Sequence, residues 1–231
     1  MSFFGDILRT ALSLVTSLDP DVYKAVWTSV NVAAWSTVVA GVMGVPLGML
    51  IAVTEFRGKR LVVTLLNTLV ALPTVVIGLA VYGMISRQGP LGQFGLLFSP
   101  YGMIIGQAIL ATPIVANYTL SAVSGSDRRI VPTALTLGAS RFQSMKQLAL
   151  EVRFGVVAAV IVGFGRVISE VGIAMMLGGN IQGYTRTMTT AIAMETSKGE
   201  FAFGLALGIV LMAVALAINL VLNFVQQESH A

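Results

Sequence analysis

Residues 154–178 read FGVVAAVIVGFGRVISEVGIAMMLG. The run is long enough to cross a bilayer, which takes about 20 mostly apolar residues. It nevertheless carries two opposite charges, Arg166 and Glu170, one helical turn apart. A charge at the bilayer centre costs about 2.5–3.5 kcal/mol on insertion scales, so such residues face a bundle interior or a water-filled path. The stretch therefore predicts an all-α, polytopic membrane bundle. Such a bundle moves something across the membrane or holds together one that does.

The rest of the composition agrees. Of 231 residues, 56% are hydrophobic and only 10% charged, against about 25% charged in soluble domains. Mean hydropathy is +0.87. The net charge of +4 is modest and sits in short loops between apolar runs, where orientation requires it, so nucleic acid is not an expected partner. There are no cysteines, which excludes disulfides, thiol catalysis and thiolate metal sites. The single histidine, His230, leaves little for a histidine metal cluster, and no metal or cofactor is expected.

Five transmembrane helices are predicted: Val26–Thr54, Leu61–Ile85, Tyr101–Val123, Phe154–Gly178 and Phe201–Val225. Residues 1–25 form an amphipathic N-terminal interfacial helix lying against lipid, because Ile7, Leu8, Ala11, Leu12 and Val15 recur at helical spacing. They lack the basic start and unbroken apolar run of a signal peptide. The transmembrane bundle occupies 26–225 and a short tail 226–231. Arg57, Lys59 and Arg60 follow the first span; Arg128, Arg129, Arg141, Lys146 and Arg153 follow the third. Positive charge marks the cytoplasmic side, so the N-terminus is expected outside and the C-terminus inside. Small residues four apart, Ala40/Gly44/Gly48 and Gly204/Gly208, invite close helix packing. Pro46, Pro73 and Pro113 favour kinks within spans.

Residues 124–153 are polar, basic and too long for an uncommitted connection. Pro132 suits the first turn of a short helix, Gly138 a sharp turn, and Ser140 with Gln143 a capping box opening a second helix that runs into the fourth span. A helix–turn–helix pushed out of a small bundle predicts a docking surface.

Here the chain resembles a known family. ABC importer permeases carry a cytoplasmic motif of the form Glu-Ala-Ala, three residues, Gly, nine residues, Ile, one residue, Leu-Pro. Aligned on Gly138, this chain has Pro132, Thr133 and Ala134 at the head, then Leu148 and Leu150, then Glu151. Ala134, Gly138 and Leu150 match, Leu148 nearly so, and the leading Glu, the Ala after it and the final Pro are replaced by Pro132, Thr133 and Glu151. Residues 66–85 (LNTLVALPTVVIGLAVYGMI), 99–117 (SPYGMIIGQAILATPIVAN) and 164–201 (FGRVISEVGIAMMLGGNIQGYTRTMTTAIAMETSKGEF) are similar to permeases of oxyanion importers, closest to the tungstate branch.

The resemblance implies a type I importer fold in which residues 124–153 carry a coupling helix. It implies that Ala134 and Gly138 allow close contact with an ATP-binding subunit, that Leu135, Leu137, Phe142, Leu148 and Leu150 supply apolar anchors, and that Arg128, Arg129 and Arg141 pair with acidic groups there. The chain lacks a phosphate-cradling glycine–lysine motif and is not itself the ATPase. The expected partners are that ATP-binding subunit, a second copy of the chain, an extracytoplasmic oxyanion-binding protein and membrane lipid. A dimer is expected because five spans are few to enclose a polar path alone.

Arg166 and Glu170, at helical i,i+4 spacing, have two readings. One is a structural ion pair neutralising two buried charges. In the other, Arg166 faces the path and helps a dianion through while Glu170 tempers the attraction. Residues 179–200 offer Asn180, Thr185 and Arg186 as donors for a tetrahedral oxyanion at the outer mouth, alongside the plainer reading of a solvated interfacial helix. The expected function is the membrane subunit of an oxyanion ABC importer, tungstate first and molybdate next. The rival is an ion-coupled secondary transporter with Glu170 carrying the proton.

Overall fold

The computed structural model describes residues 3–17, 19–127 and 129–228, and every long element among them is an α-helix. Arg128, His230 and the last residues of the tail lie outside that set. In chain order the helices are α1 (Phe3–Thr16), α2 (Pro20–Val53), α3 (Lys59–Val70), α4 (Thr74–Ile85), α5 (Pro100–Ser124), α6 (Ile130–Thr136), α7 (Arg141–Glu151), α8 (Arg153–Ile168), α9 (Gly172–Gly178), α10 (Met188–Lys198) and α11 (Phe201–Glu228). A 3-10 turn at Gly92–Phe94 interrupts the connection between α4 and α5.

The helix α2 starts where Asp19 accepts the backbone N–H groups of Asp21 (2.9 Å) and Val22 (3.3 Å) with Pro20 in the first turn. Its 34 residues span about 51 Å, longer than the roughly 30 Å hydrocarbon layer. Helix α5 opens with Ser99 capping Gly102 N–H ahead of the bundle. The two helices are the central pair. Their backbones close together because Gly44 and Gly48 lack side chains: a Cβ on Gly44 would sit 2.8 Å from the Thr112 carbonyl oxygen, and one on Gly48 would collide with the Ala116 carbonyl. The expected small-residue seam is thus a real one. At the other stripe, a Cβ on Gly208 would meet nothing within 4 Å, so that glycine is not part of a tight helix contact.

Two predicted spans are not straight. The second is a pair, α3 and α4, meeting at 93°. Pro73 cannot donate an N–H and pushes Leu72 out of helical geometry, so α3 ends at Val70 and α4 restarts at Thr74. The fourth is broken between Ile168 and Gly172, so α8 and α9 are separate helices. A further bend of 69° at Val152 separates α7 from α8, so the capped helix after Ser140 does not run straight into the fourth span. The first, third and fifth spans are continuous helices, long and apolar enough to cross.

One core cluster joins α2, α5, α8, α10 and α11 through Ala40, Val115, Val167, Met188 and Leu207. A second packs α4 and α9 on α5, with Ile77, Val81, Leu110, Ile173 and Leu177. The third, Met49, Val123, Leu148 and Val152, ties α7 to the ends of α2 and α5. Connections segregate to two ends. At one, Lys59, Ser124, Pro132 and Leu148 share a recess of about 310 Å³. At the other, Gln182 Nε2 donates to Asp21 Oδ2 (2.8 Å) and Met188 N–H to Ser29 Oγ (2.7 Å). The basic loop after α2 and the basic segment after α5 therefore sit together, far from the 179–200 segment. Helix α1 lies along α11 with Ala11 fully buried, while Leu8 and Leu12 on its other side are exposed.

Candidate functional site

The charged pair of the fourth span sits at its break. Arg166 Nη1 donates to Glu170 Oε2 at 2.7 Å, but Glu170 lies beyond the end of α8, not on its face. Glu170 Oε1 instead accepts the N–H groups of Gly172 (3.0 Å) and Ile173 (3.4 Å), the first of α9. Ser169 Oγ returns to the terminal carbonyls of α8, Gly165 (3.1 Å) and Arg166 (3.0 Å). Thr189 Oγ1, on α10, donates to the Glu170 carbonyl at 2.8 Å. A broken helix in hydrocarbon is tolerated only where its freed backbone groups find partners. Here three side chains supply them.

Glu170 is 4% exposed and both its oxygens are engaged, whereas the Arg166 side chain is 39% exposed. The two charges therefore differ in kind: the carboxylate is a structural cap, and the guanidinium is the one with open surface. The break of the second span lies alongside. A Cβ on Gly172 would stand 3.3 Å from Thr74 Oγ1 and 3.4 Å from Glu170 Oε1, which puts the start of α4 against the start of α9. Sequence reasoning missed Thr74 and Ser169, and it read Thr189 as one more outer-segment hydroxyl, whereas its Oγ1 is spent on the Glu170 carbonyl.

The elbow between α6 and α7 forms as its residues dictate. Gly138 has φ +88°, and nothing lies within 4 Å of where its Cβ would be. Ser140 Oγ accepts Gln143 N–H (3.2 Å) and Gln143 Oε1 accepts Ser140 N–H (2.7 Å), completing the capping box. Pro132 is the third residue of α6. Leu137 and Phe142 are 82% and 80% exposed, Leu135 and Leu150 are also exposed, and Arg141 stands on the same open surface. Ala134 is half-buried. Leu148 is different: at 2% exposed it belongs to the third core cluster and anchors α7 to the bundle.

At the opposite end, Asn180, Thr185 and Arg186 come together, but mostly facing inward. Thr185 Oγ1 donates to the Gly178 carbonyl (2.5 Å) and accepts Ile181 N–H (3.0 Å). Asn180 Oδ1 accepts from Thr190 Oγ1 (2.9 Å), and Nδ2 reaches Met194 Sδ. Thr185 therefore closes the loop on itself and on the end of α9, while Asn180 ties it to α10. Arg186 Nη1 reaches Glu195 Oε1 at 3.5 Å. The first turn of α10, Met188 to Ala191, is buried, so this helix is built into the bundle and is not merely laid on the surface.

A broken-helix pair at mid-bundle and an exposed elbow at one end are features of a transport protein, and comparison with known sequences decides which kind. The family of binding-protein-dependent transport system inner membrane components matches residues 44–228. The chain belongs to this family of ABC importer permeases. It is 39% identical over 228 residues to the tungstate uptake system permease protein TupB of Peptoclostridium acidaminophilum, covering 99% of this chain and 100% of that one. To the Campylobacter jejuni protein of the same description it is 38% identical over 207 residues, covering 90% and 87%. A chain of the inward-facing MetNI methionine ABC transporter shares the fold, with a TM-score of 0.74 at 16% identity over 92% of this permease and 98% of that chain. The permease is thus a multi-pass inner-membrane protein of type I importer fold.

Proposed function

We propose that this permease carries an oxyanion into the cell, tungstate first and molybdate next, powered by ATP hydrolysis on a separate subunit. The observation that carries the choice of ion is the 39% identity, over essentially the whole chain, to a tungstate uptake permease; a molybdenum transport permease of Escherichia coli is more distant at 28%. Two copies enclose the path, and an extracytoplasmic binding protein delivers the cargo. The ATP-binding subunit grips the elbow around Gly138 through Leu137, Phe142, Leu150 and Arg141, with Ala134 permitting close approach. An apolar centre with a charged rim suits such an interface. That end is cytoplasmic, because it gathers Arg57, Lys59, Arg60, Arg129, Arg141, Lys146 and Arg153. The N-terminus is then outside and the C-terminus inside.

Arg166, the partly open cation at the break, attracts the dianion in transit, and the Glu170 carboxylate beside it keeps the attraction weak enough for release. An ion-coupled carrier using Glu170 is disfavoured by the same geometry, since a proton-carrying carboxylate would have to leave both its backbone cap and its arginine. The test is uptake by the full importer reconstituted in vesicles. ATP-dependent accumulation of tungstate in preference to molybdate and sulfate is expected. Accumulation driven by a proton gradient without nucleotide would overturn the reading.

A further inference from the structure

The outer segment holds a charge cluster that the fold alone does not explain. Arg186 and Lys198 both donate to one carboxylate oxygen, Glu195 Oε1, at 3.5 and 3.0 Å. Two cations on one carboxylate leave a formal charge of +1 in this triad. It is also poorly discharged. The Arg186 and Glu195 side chains are only 12% and 11% exposed. Arg186 meets the carboxylate through a single long contact, although a guanidinium fork pairs best in bidentate fashion. Its Nη2 has the Met194 sulfur as partner, at 3.6 Å, and thioether sulfur is a weak acceptor. Its Nε is buried without an acceptor among the described residues. A buried donor left unmade is a cost that a ligand oxygen would relieve. Of the neighbouring acids, Glu200 is exposed and donates its backbone N–H to the Glu195 carbonyl (2.9 Å), and Asp21 is bonded to Gln182.

We infer that Arg186 and Lys198 form an outer binding site for a tetrahedral oxyanion, and that Glu195 is a tethered carboxylate holding the site when no anion is there. A tetrahedral dianion between the two cations can take the Nε and Nη2 donors together, whereas Glu195 reaches Arg186 through Nη1 alone. Lys198, whose side chain is 46% exposed, is the open edge of the site. Because Glu195 competes for the same cations, binding stays weak, as a step in transit requires. The inference rests on the oxyanion-importer reading and adds where cargo first touches the permease.

The test is equilibrium dialysis of tungstate against the permease with its ATP-binding subunit in lipid nanodiscs, without the binding protein. Glu195→Gln removes the competitor and is expected to raise affinity about tenfold. Arg186→Gln is expected to weaken retention severalfold, and native retention by that variant would overturn the outer site. Lys198→Gln, at a half-exposed position that leaves packing intact, is expected to weaken it. Chloride at equal ionic strength is expected not to displace the tungstate. If Glu195→Gln binds no more tightly than the native chain, or Lys198→Gln binds equally well, the outer site is wrong. ATP-driven tungstate uptake by the native importer, assayed in parallel, separates the failures. Uptake without a charge-dependent outer site sinks only this inference, whereas no oxyanion uptake at all sinks the reading beneath it.

Discussion

Thr189 Oγ1 donates to the backbone carbonyl of Glu170 across 2.8 Å, and so ties α10 to the break between α8 and α9. The carbonyl is one of those freed where the fourth span stops being helical, and both residues are buried. Replacing Thr189 by Val keeps the volume and removes the donor. A net loss of about 1–3 kcal/mol is expected from a buried acceptor left unpaired. Thermal unfolding of the permease in nanodiscs checks it; an unchanged midpoint would mean that the contact carries no stability.

Glu170 bridges Arg166 and the first two amides of α9. Glu170→Ala removes the cap and the countercharge together and is expected to be the most damaging substitution at the break. Glu170→Gln keeps an acceptor for the amides and loses only charge. The pair is expected to be non-additive: Arg166→Gln with Glu170→Gln should cost about 0.5–3 kcal/mol less than the sum of the single changes. A double-mutant cycle on unfolding measures it, and strict additivity would remove the coupling.

Gly138 adopts φ +88° with open space around its Cβ position, so any cost of substitution there is backbone strain, not a clash. Gly138→Val is expected to destabilise the elbow by about 1–3 kcal/mol and to uncouple ATP hydrolysis from uptake. Gly138→Asn, whose side chain tolerates the left-handed region, should retain most coupling. The ratio of ATP hydrolysed to cargo moved distinguishes the two.

Ser140 and Gln143 form a reciprocal capping box on α7. Ser140→Ala is expected to cost about 1 kcal/mol of local stability. Hydrogen exchange at the first turn of α7 should quicken while α5, held by the core, does not change.

Gly48→Ala is expected to be severe and Gly208→Ala nearly silent, although both glycines occupy small-residue stripes. At Gly48 a methyl group collides with the Ala116 carbonyl and stands 2.9 Å from Thr119 Cβ, whereas at Gly208 it meets nothing within 4 Å. Expression level and thermal midpoint of the two variants check the contrast.

Much of this was readable along the chain. The continuous first, third and fifth spans, the capping box at Ser140, the turn at Gly138 and the seam at Gly44 and Gly48 are local or periodic features, written in hydropathy and in residues with a single backbone use. The breaks were harder. Pro73 announced a disturbance, but its size, 93°, depends on what α3 and α4 pack against. Ser169 and Glu170 sit in a run apolar enough to read as one helix, so hydropathy concealed the break.

Charge and hydropathy were enough to establish a multi-pass bundle with one basic end, because transfer into lipid is a sum over residues and needs no knowledge of neighbours. Which polar groups are spent on the fold and which stay open was settled only in three dimensions. Leu148 is turned inward, Thr185 and Asn180 brace a loop, Glu170 caps a helix, and Arg166 and Lys198 keep exposed surface. The partners that decide those roles lie anywhere from 2 residues away, as Gly172 does from Glu170, to 10, as Thr190 does from Asn180, and no residue's own chemistry names its partner.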